Sequence, residues 1–117
     1  MKTRIAASFI AAVTAVTAGA VVATPAQAGT ITGRCTHTNS EPTLRRGSSG
    51  TAVRQAQCEL IYAMRGANII VDGAFGPATD GAVRRFQGCA RVAEDGIIGP
   101  TTWSLLNWYA ARTPINC

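Results

Sequence analysis

The sequence has few of the residues on which enzymes most often rely. It contains one lysine, one histidine (His37) and six acidic residues among 117. A zinc amidase or peptidase needs several converging histidine and carboxylate ligands, and a Cys–His hydrolase needs a free thiol beside a histidine. Neither set can be assembled here, so no metal and no cofactor are predicted. We expect His37 to be solvated in a polar segment.

The spacing of the cysteines also excludes a common class of site. No two of the four cysteines lie two to four residues apart, as the ligands of a structural zinc site usually do. An even number of cysteines in an exported chain indicates two disulfides, each contributing roughly 2–4 kcal/mol. The four residues are Cys35, Cys58, Cys89 and Cys117.

The N-terminus has the three parts of a secretory signal. Lys2 and Arg4 precede an apolar run to about residue 23, and Ala26-Gln27-Ala28 forms a small-x-small cleavage site. A transmembrane anchor is the alternative, but the run is rich in alanine and threonine and is followed by Pro25. We expect removal of residues 1–28, an extracellular or wall-associated protein, and no membrane contact afterwards.

The remaining chain is small and mildly basic. Residues 29–117 hold nine arginines, no lysine and six acids, a net charge of +3. They contain no basic run or stripe, so a nucleic-acid partner is not predicted, whereas an anionic wall polymer is compatible with the charge. A single domain of this size buries little surface and often relies on cross-links.

Two segments of the sequence are alike. Residues 72–79 read DGAFGPAT and residues 95–103 read DGIIGPTTW, which match at Asp, Gly, Gly, Pro and Thr with a spacing of 23 residues. Asp-Gly favours a turn, and proline is favoured at the first position of a helix. Each copy therefore predicts a turn followed by a helix, with Phe75 and Ile98 filling the core.

Helical periodicity predicts three helices. The first starts at a cap on Ser49 or Thr51 and ends near Gly66, the second runs from Pro77 to Gly88, and the third starts at Pro100. The residues expected to face inward are Val53, Ala56, Leu60 and Met64, with Ile61 on the flank; then Ala82, Val83 and Phe86; then Trp103, Leu106, Tyr109 and Ala110.

The predicted fold class is therefore all-α, a small three-helix bundle with short extended connections, stapled by two disulfides. Residues 29–43 are predicted to form an N-terminal arm, and residues 44–117 a three-helix domain with a C-terminal tail.

Three stretches resemble the peptidoglycan-binding domain 1 family, a three-helix module often attached to cell-wall hydrolases. They are Leu44 with RRGSSGTAVRQAQ, then VDGAFGPATDGAVRRFQ, then DGIIGPTTWSLL, and the resemblance extends to about Leu106. It implies non-catalytic binding of peptidoglycan, through its glycan strand or stem peptide, and leaves open whether a separate wall hydrolase is a further partner. Relatives tend to have glycine after the second helix, where this sequence has Arg91; a left-handed backbone there would cost roughly 1 kcal/mol, so we expect the loop to differ.

The helical wheel favours one of the three possible disulfide pairings. Cys58 lies about 140° from Val53 at 100° per residue, away from the buried face and towards a segment laid over the helix. The arm with Cys35 is the nearest such segment. The favoured pairs are thus Cys35–Cys58 and Cys89–Cys117, with the other pairings open.

Two acids are the candidates for catalysis. A glycosidase needs two carboxyl groups about 5–9.5 Å apart, which Asp72 and Asp95 could supply. The favoured interpretation is structural, because each aspartate opens the same turn and can accept its backbone N–H groups. Two alternatives are kept: a small wall hydrolase using Asp72 and Asp95, and a protein-interaction or inhibitor module on the same scaffold.

The aromatic and arginine residues suggest a ligand groove. Phe86 and Trp103 belong to the core, whereas Trp108 and Tyr62 project from it; we favour a covered position for Trp108 and leave Tyr62 open. Exposed rings offer flat faces to sugars, and arginine binds carboxylates such as those of stem peptides. The predicted ligand-binding groove is lined by Tyr62, Arg65, Asn68, Asp72 and Phe75.

Overall fold

The computed structural model describes residues 34–117, so the predicted signal segment and the first residues of the arm lie outside the described residues. Three helices follow one another: α1 (Thr51–Ala63), α2 (Pro77–Cys89) and α3 (Pro100–Ala110). Within residues 34–117 there are no strands, only isolated bridges. The predicted all-α, three-helix fold is confirmed.

The Gly-Pro pairs start two of the helices as predicted. Pro77 and Pro100 occupy the first turns of α2 and α3, each after a glycine in extended conformation. The predicted side-chain cap of α1 is wrong, because Gly50 holds the capping position and no side chain caps the helix. Gly50 has φ 112°, a conformation that a residue with a Cβ rarely adopts.

The ends of α1 and α2 differ from the predicted ends. α1 ends at Ala63, where Met64 is already extended, and so stops short of Gly66. α2 continues through Gly88 to Cys89. Gly88 lies inside the helix, and an oxygen of the Glu94 carboxyl group packs against it, 2.7 Å from the place where a Cβ would stand. The glycine makes room for a neighbour rather than ending the helix.

The core is the one that the periodicity predicts. Trp103 and Phe86 are its largest side chains, and Phe75 and Ile98 fill it from the two turns. Tyr109 is only half-buried, with its ring edge-on to Phe86 at 6.1 Å between centroids. The remaining inward positions of the three helices are all buried: Val53, Ala56, Leu60, Met64, Ala82, Val83, Leu106 and Ala110.

The chain before α1 connects the two turns to each other. Leu44 exchanges both backbone hydrogen bonds with Ile98, at 3.1 and 2.8 Å. A few residues on, Phe75 donates to the Ser48 carbonyl and accepts from the Gly47 N–H group, both at 3.0 Å. One short segment is thereby bonded to both copies of the duplicated motif.

Two disulfides hold the ends of the described chain. Cys35 is bonded to Cys58 and Cys89 to Cys117, with Cα atoms 5.8 and 5.5 Å apart, and these are the pairs that the sequence favours. The tail is fixed again where the Ile115 N–H group donates to the Ala63 carbonyl at 2.7 Å. Both ends of the domain are therefore tied to helices.

The described part of the arm packs more closely than a polar segment suggests. The indole of Trp103 donates to the Pro42 carbonyl at 2.8 Å, and the Asn107 amide donates to Glu41 at 2.7 Å. The side chain of Gln55, buried in α1, donates to the Cys35 carbonyl and accepts from the backbone of His37. The His37 ring itself is exposed, as predicted.

A buried acid lies in this contact. Glu59 is fully buried on α1; one of its oxygens accepts from Gln55 at 2.6 Å, and the other has no hydrogen-bond partner within residues 34–117. Burial raises its pKa to about 7; the hydrogen bond from Gln55 opposes the shift, and the nearby charge of Glu41 adds to it. The arm therefore covers a carboxyl group that changes charge near neutral pH.

The loop after α2 keeps a left-handed backbone at Arg91, although the arginine led us to expect a different loop here. Arg91 has φ 61°, in the left-handed region, and its N–H group donates to the Gly88 carbonyl at 3.2 Å. An L-residue with a Cβ is disfavoured in this conformation by roughly 1 kcal/mol. The relatives' usual glycine would fit this position without that cost.

Replacing this arginine should stabilise the protein. We expect Arg91→Gly to raise the free energy of unfolding by about 0.5–1 kcal/mol, because glycine adopts positive φ freely. Urea denaturation measures the difference. Arg65→Gly is the control at an exposed arginine with ordinary φ, and it should destabilise. Equal destabilisation by both substitutions would show that Arg91 is not strained.

The buried glutamate should make stability depend on pH. A raised pKa means that the folded state holds the proton more tightly, so this stability is present below the ordinary value and is lost as pH rises towards 7. Between pH 5 and 8 the free energy of unfolding should fall by roughly 2 kcal/mol. Glu59→Gln should remove this fall in urea titrations, whereas Glu94→Gln, at an exposed acid, should keep it. Parallel curves for the native chain and Glu59→Gln would contradict the assignment.

Candidate functional site

The first copy of the motif is held by a buried glutamine. Gln57 on α1 accepts hydrogen bonds from the backbone N–H groups of Asp72 and Gly73, at 3.0 and 2.9 Å. Its amide nitrogen lies 2.9–3.0 Å from three acceptors, the Asp72 carboxylate, the Ala74 carbonyl and the Thr79 hydroxyl. The same Asp72 oxygen accepts from the Ala74 N–H group at 2.9 Å. One side chain therefore fixes the whole turn.

The second copy repeats this arrangement. The side-chain oxygen of Gln87, on α2, accepts from the Gly96 N–H group at 3.0 Å. Its nitrogen lies 3.0 Å from the Asp95 carboxylate, 2.9 Å from the Ile97 carbonyl and 3.2 Å from the Thr102 hydroxyl. Asp95 in turn accepts from the Ile97 N–H group at 2.9 Å. We call each Gln–Asp–Thr set a glutamine clamp.

Sequence reasoning missed both clamps, although a signal for them exists. Residues 53–57 read VRQAQ and residues 83–87 read VRRFQ, so Val-Arg-x-x-Gln precedes each turn. The arginine of each Val-Arg-x-x-Gln segment packs over the glycine of the turn that follows: Arg54 over Gly73, and Arg84 over Gly96. A Cβ on Gly73 would lie 3.1 Å from the Arg54 side chain, and one on Gly96 would meet Asp80 and Arg84 even more closely. The duplicated unit thus includes a helical turn as well as the loop.

The clamps explain the two candidate catalytic acids. The pKa of Asp72 is lowered first by the Ala74 N–H group and then by Gln57. The pKa of Asp95 is lowered first by the Ile97 N–H group, with Gln87 acting in the same direction against partial desolvation. Both carboxyl groups are therefore ionised at neutral pH, and neither suits the general-acid role that glycoside hydrolysis requires.

Each copy of the motif also borders a shallow cavity. The cavity of the second copy has a volume of about 320 Å³ and that of the first about 240 Å³. Their linings correspond residue by residue at the 23-residue spacing. The shared positions are Asp72, Ala74, Gly76, Pro77, Ala78 and Thr79 in the first, and Asp95, Ile97, Gly99, Pro100, Thr101 and Thr102 in the second.

The two cavities differ in polarity. The exposed position on the helical side is Ala78 in the first cavity and Thr101, which carries a hydroxyl group, in the second. The first cavity is also flanked by Ile70, which is 72% exposed, where the second has Ala93. The first cavity therefore offers an apolar contact, and the second offers a hydrogen-bonding group.

The residues of the predicted groove are only partly brought together. Asp72 lines the first cavity, but Tyr62, Arg65 and Asn68 are not in that lining, although all three are exposed. Phe75 is 3% exposed and belongs to the core, so its ring does not line an open surface. That part of the groove hypothesis is wrong, because the residue serves as the core plug of its turn.

Tyr62 and Trp108 both lie at the surface. The Arg34 guanidinium stands 5.0 Å from the centre of the Tyr62 ring, which is partly exposed. Trp108 is 51% exposed, so the favoured covered position is wrong. The arm crosses α3 at Trp103 and Asn107, on another side of the helix, and leaves Trp108 uncovered.

Residues 34–117 contain neither a cluster of metal ligands nor a membrane-spanning helix. No group of three or more histidine, cysteine, aspartate or glutamate side chains is placed there to hold a metal ion. None of the three helices in this range has the length and apolar character required to cross a bilayer.

Comparison with known proteins places this geometry in context. Residues 49–106 match a family described as "Putative peptidoglycan binding domain". A zinc D-Ala-D-Ala carboxypeptidase from Streptomyces albus G is 52% identical over 63 residues, which cover 53% of this chain and 25% of the carboxypeptidase. The chain thus spans about a quarter of that relative.

Solved structures agree with this match. The crystal structure of the N-terminal domain of SleB aligns with a TM-score of 0.57 and 34% identity, covering 61% of this chain and 96% of that domain. A peptidoglycan-binding protein from Clostridioides difficile, in complex with glutamine hydroxamate, aligns with a TM-score of 0.58 and 38% identity. The alignment covers 63% of this chain and 46% of that protein.

Replacing the hydrogen-bond donor of a clamp by a charged acceptor should destabilise the domain. In Gln57→Glu a carboxylate of the same shape replaces the amide that donates to Asp72, so a donor is lost and two like charges meet. We expect a loss of roughly 2–4 kcal/mol at pH 7, and a smaller loss at pH 4, measured by urea denaturation.

The double variant Gln57→Glu, Asp72→Asn is the matched control. In this variant the asparagine amide at position 72 can donate to the carboxylate at position 57, so part of the lost stability should be recovered. A Gln57→Glu variant as stable as the native chain would show that the clamp does not hold the turn.

Proposed function

We propose, since this chain belongs to the peptidoglycan-binding domain 1 family, that it binds bacterial cell-wall peptidoglycan without cleaving it and acts outside the cell. Family membership supports the choice of ligand. The absence of cleavage and the extracellular location are our own inferences from the residues, and each has a separate basis.

Non-catalytic binding is supported above all by the glutamine clamps. They commit Asp72 and Asp95 to two separate turns, keep both ionised, and leave an open, shallow cavity beside each. A polymer can contact such cavities through van der Waals surface and hydrogen bonds, with no group positioned to transfer a proton to a leaving oxygen.

Secretion is supported by the disulfides. No free cysteine is found within residues 34–117, and disulfides persist in oxidising compartments, whereas they are rare in the cytosol. The predicted signal, residues 1–28, lies outside the described residues.

The contact surface that we propose includes both cavities and the neighbouring exposed side chains of Tyr62, Arg65 and Asn68. Arg65 is exposed beyond the end of α1 and is free to pair with a carboxylate of a stem peptide. Asp72 contributes through the shape of its turn rather than by direct catalysis.

The comparison with the carboxypeptidase weighs against the hydrolase alternative. The similar carboxypeptidase is an enzyme of which this chain spans about a quarter, which favours a separate hydrolase as partner over activity in the module itself. Asp72→Asn and Asp95→Asn distinguish the two: under the hydrolase reading they abolish release of soluble wall fragments from a protein that still folds. The inhibitor alternative has no specific observation in its favour.

Filling the cavities should weaken retention on purified peptidoglycan sacculi. Ala78→Trp and Thr101→Trp each place a bulky ring at an exposed position in a cavity, so the fold should be retained while the cavity is lost. We expect at least one of them to lower retention by about tenfold, which corresponds to roughly 1.4 kcal/mol. A sedimentation assay, with soluble fragments measured in the supernatant, tests both binding and cleavage.

Arg45→Gln is the control for general charge, and Tyr62→Ala and Arg65→Ala test the neighbouring surface. Saturable retention without soluble fragments is the expected result. Lack of retention of the native chain at micromolar concentration would overturn the proposed ligand, and fragment release would overturn the non-catalytic role.

A further inference from the structure

We infer that the end of α3 carries a second contact site, formed by Trp108 and Arg112, for a saccharide that bears a carboxylate. This inference deepens the proposed function, on which it rests, by naming the part of the wall polymer that this surface would contact: N-acetylmuramic acid residues that carry no stem peptide, where the carboxylate is free.

The exposure of Trp108 is the first observation. Its side chain is 51% exposed at the surface of a small domain in which the other tryptophan, Trp103, is 1% exposed. The core does not use the Trp108 ring. An exposed indole offers the flat apolar face on which the C–H groups of a pyranose ring pack.

The second observation is the position of the charge. The Arg112 guanidinium lies over one face of the indole ring, 4.7 Å from the ring centre, and the Tyr109 ring contacts the indole edge-on at 5.0 Å. A sugar would therefore pack on the part of the indole that the guanidinium leaves open. Within residues 34–117, Arg112 takes part in no ion pair; its one side-chain hydrogen bond is a long one, 3.4 Å, to the Trp108 carbonyl. Most of its donors remain available to a ligand.

These side chains border a cavity that is large enough to hold a sugar ring. Its volume is about 370 Å³, and Arg112 is the only charged residue in its lining. The lining also includes Ser104, whose hydroxyl group can donate and accept. A cavity with one aromatic face, a cation and a hydroxyl group complements a sugar ring with an anionic substituent.

The site is held in place by the tail. The Cys89–Cys117 disulfide and the hydrogen bond from Ile115 to Ala63 fix the segment that follows Arg112 at two points. The N–H groups of Ala111 and Arg112 also continue the α3 hydrogen-bonding pattern to Asn107 and Tyr109. A ligand would therefore meet a surface that is already ordered, which lowers the entropy cost of binding.

The position of the site separates it from the family match. Trp108 and Arg112 lie beyond residues 49–106, the segment that matches the family, and beyond both turn cavities. The two residues that define the site therefore lie in the C-terminal segment, whereas Ser104 of the cavity lining lies within the matched segment.

The inference is tested by titrating the secreted chain, labelled with ¹⁵N, with N-acetylmuramic acid, which has a free carboxylate, and with N-acetylglucosamine, which has none. The two indole N–H signals report separately on Trp108 and on the buried Trp103. We expect N-acetylmuramic acid to shift the Trp108 signal only, and to bind about tenfold more tightly than N-acetylglucosamine.

Three variants complete the test. Arg112→Gln should abolish the preference for the carboxylated sugar, Trp108→Ala should weaken binding of both sugars, and Arg45→Gln should behave as the native chain. Unchanged Trp108 signals, or an equal response to glycerol phosphate, would overturn the inference. Loss of retention of the native chain on sacculi would instead overturn the proposed function, so the two failures are distinguishable.

Discussion

The structure depends on two buried glutamine side chains. Gln57 and Gln87 are each 1% exposed, and each satisfies the backbone and side-chain groups of a turn that would otherwise place unpaired polar atoms against the core. These turns also position the Gly-Pro pairs that start α2 and α3, and they place Phe75 and Ile98 in the core. Removing the amide would therefore disconnect a loop, a helix start and part of the core together.

Sequence reasoning finds the helices because their apolar residues recur at helical spacing, and it finds the turns because the same eight-residue pattern occurs twice. It fails where a residue's role depends on a distant partner. From the sequence alone, Gln57 is indistinguishable from a solvated helical residue, whereas the structure places it beside Asp72. The sequence likewise predicts a helix end at Gly88, whereas the structure packs Glu94 against it. Likewise, no local pattern reveals that the arm crosses α3 at Trp103 and leaves Trp108 uncovered.

The same comparison explains why the candidate site was only partly predictable. Two aspartates in a duplicated motif suggest a pair of catalytic acids. Their role here is structural, because each carboxylate accepts a hydrogen bond from the backbone of its own turn. The surfaces left for a ligand are the spaces beside these turns and the exposed rings. Their shapes arise from packing between segments far apart in sequence, and only a three-dimensional arrangement shows them.

Each clamp has one residue on α2, and this fixes a distance between the two cavities. Thr79 in the first turn of this helix lines one cavity, and Gln87 near its last turn lines the other. Eight residues at the rise of an α-helix correspond to roughly 12 Å along its axis. The helix therefore sets the axial separation of the residues that it contributes to the two cavities, and a polymer with repeating units would contact both cavities most readily where its repeat is compatible with that separation.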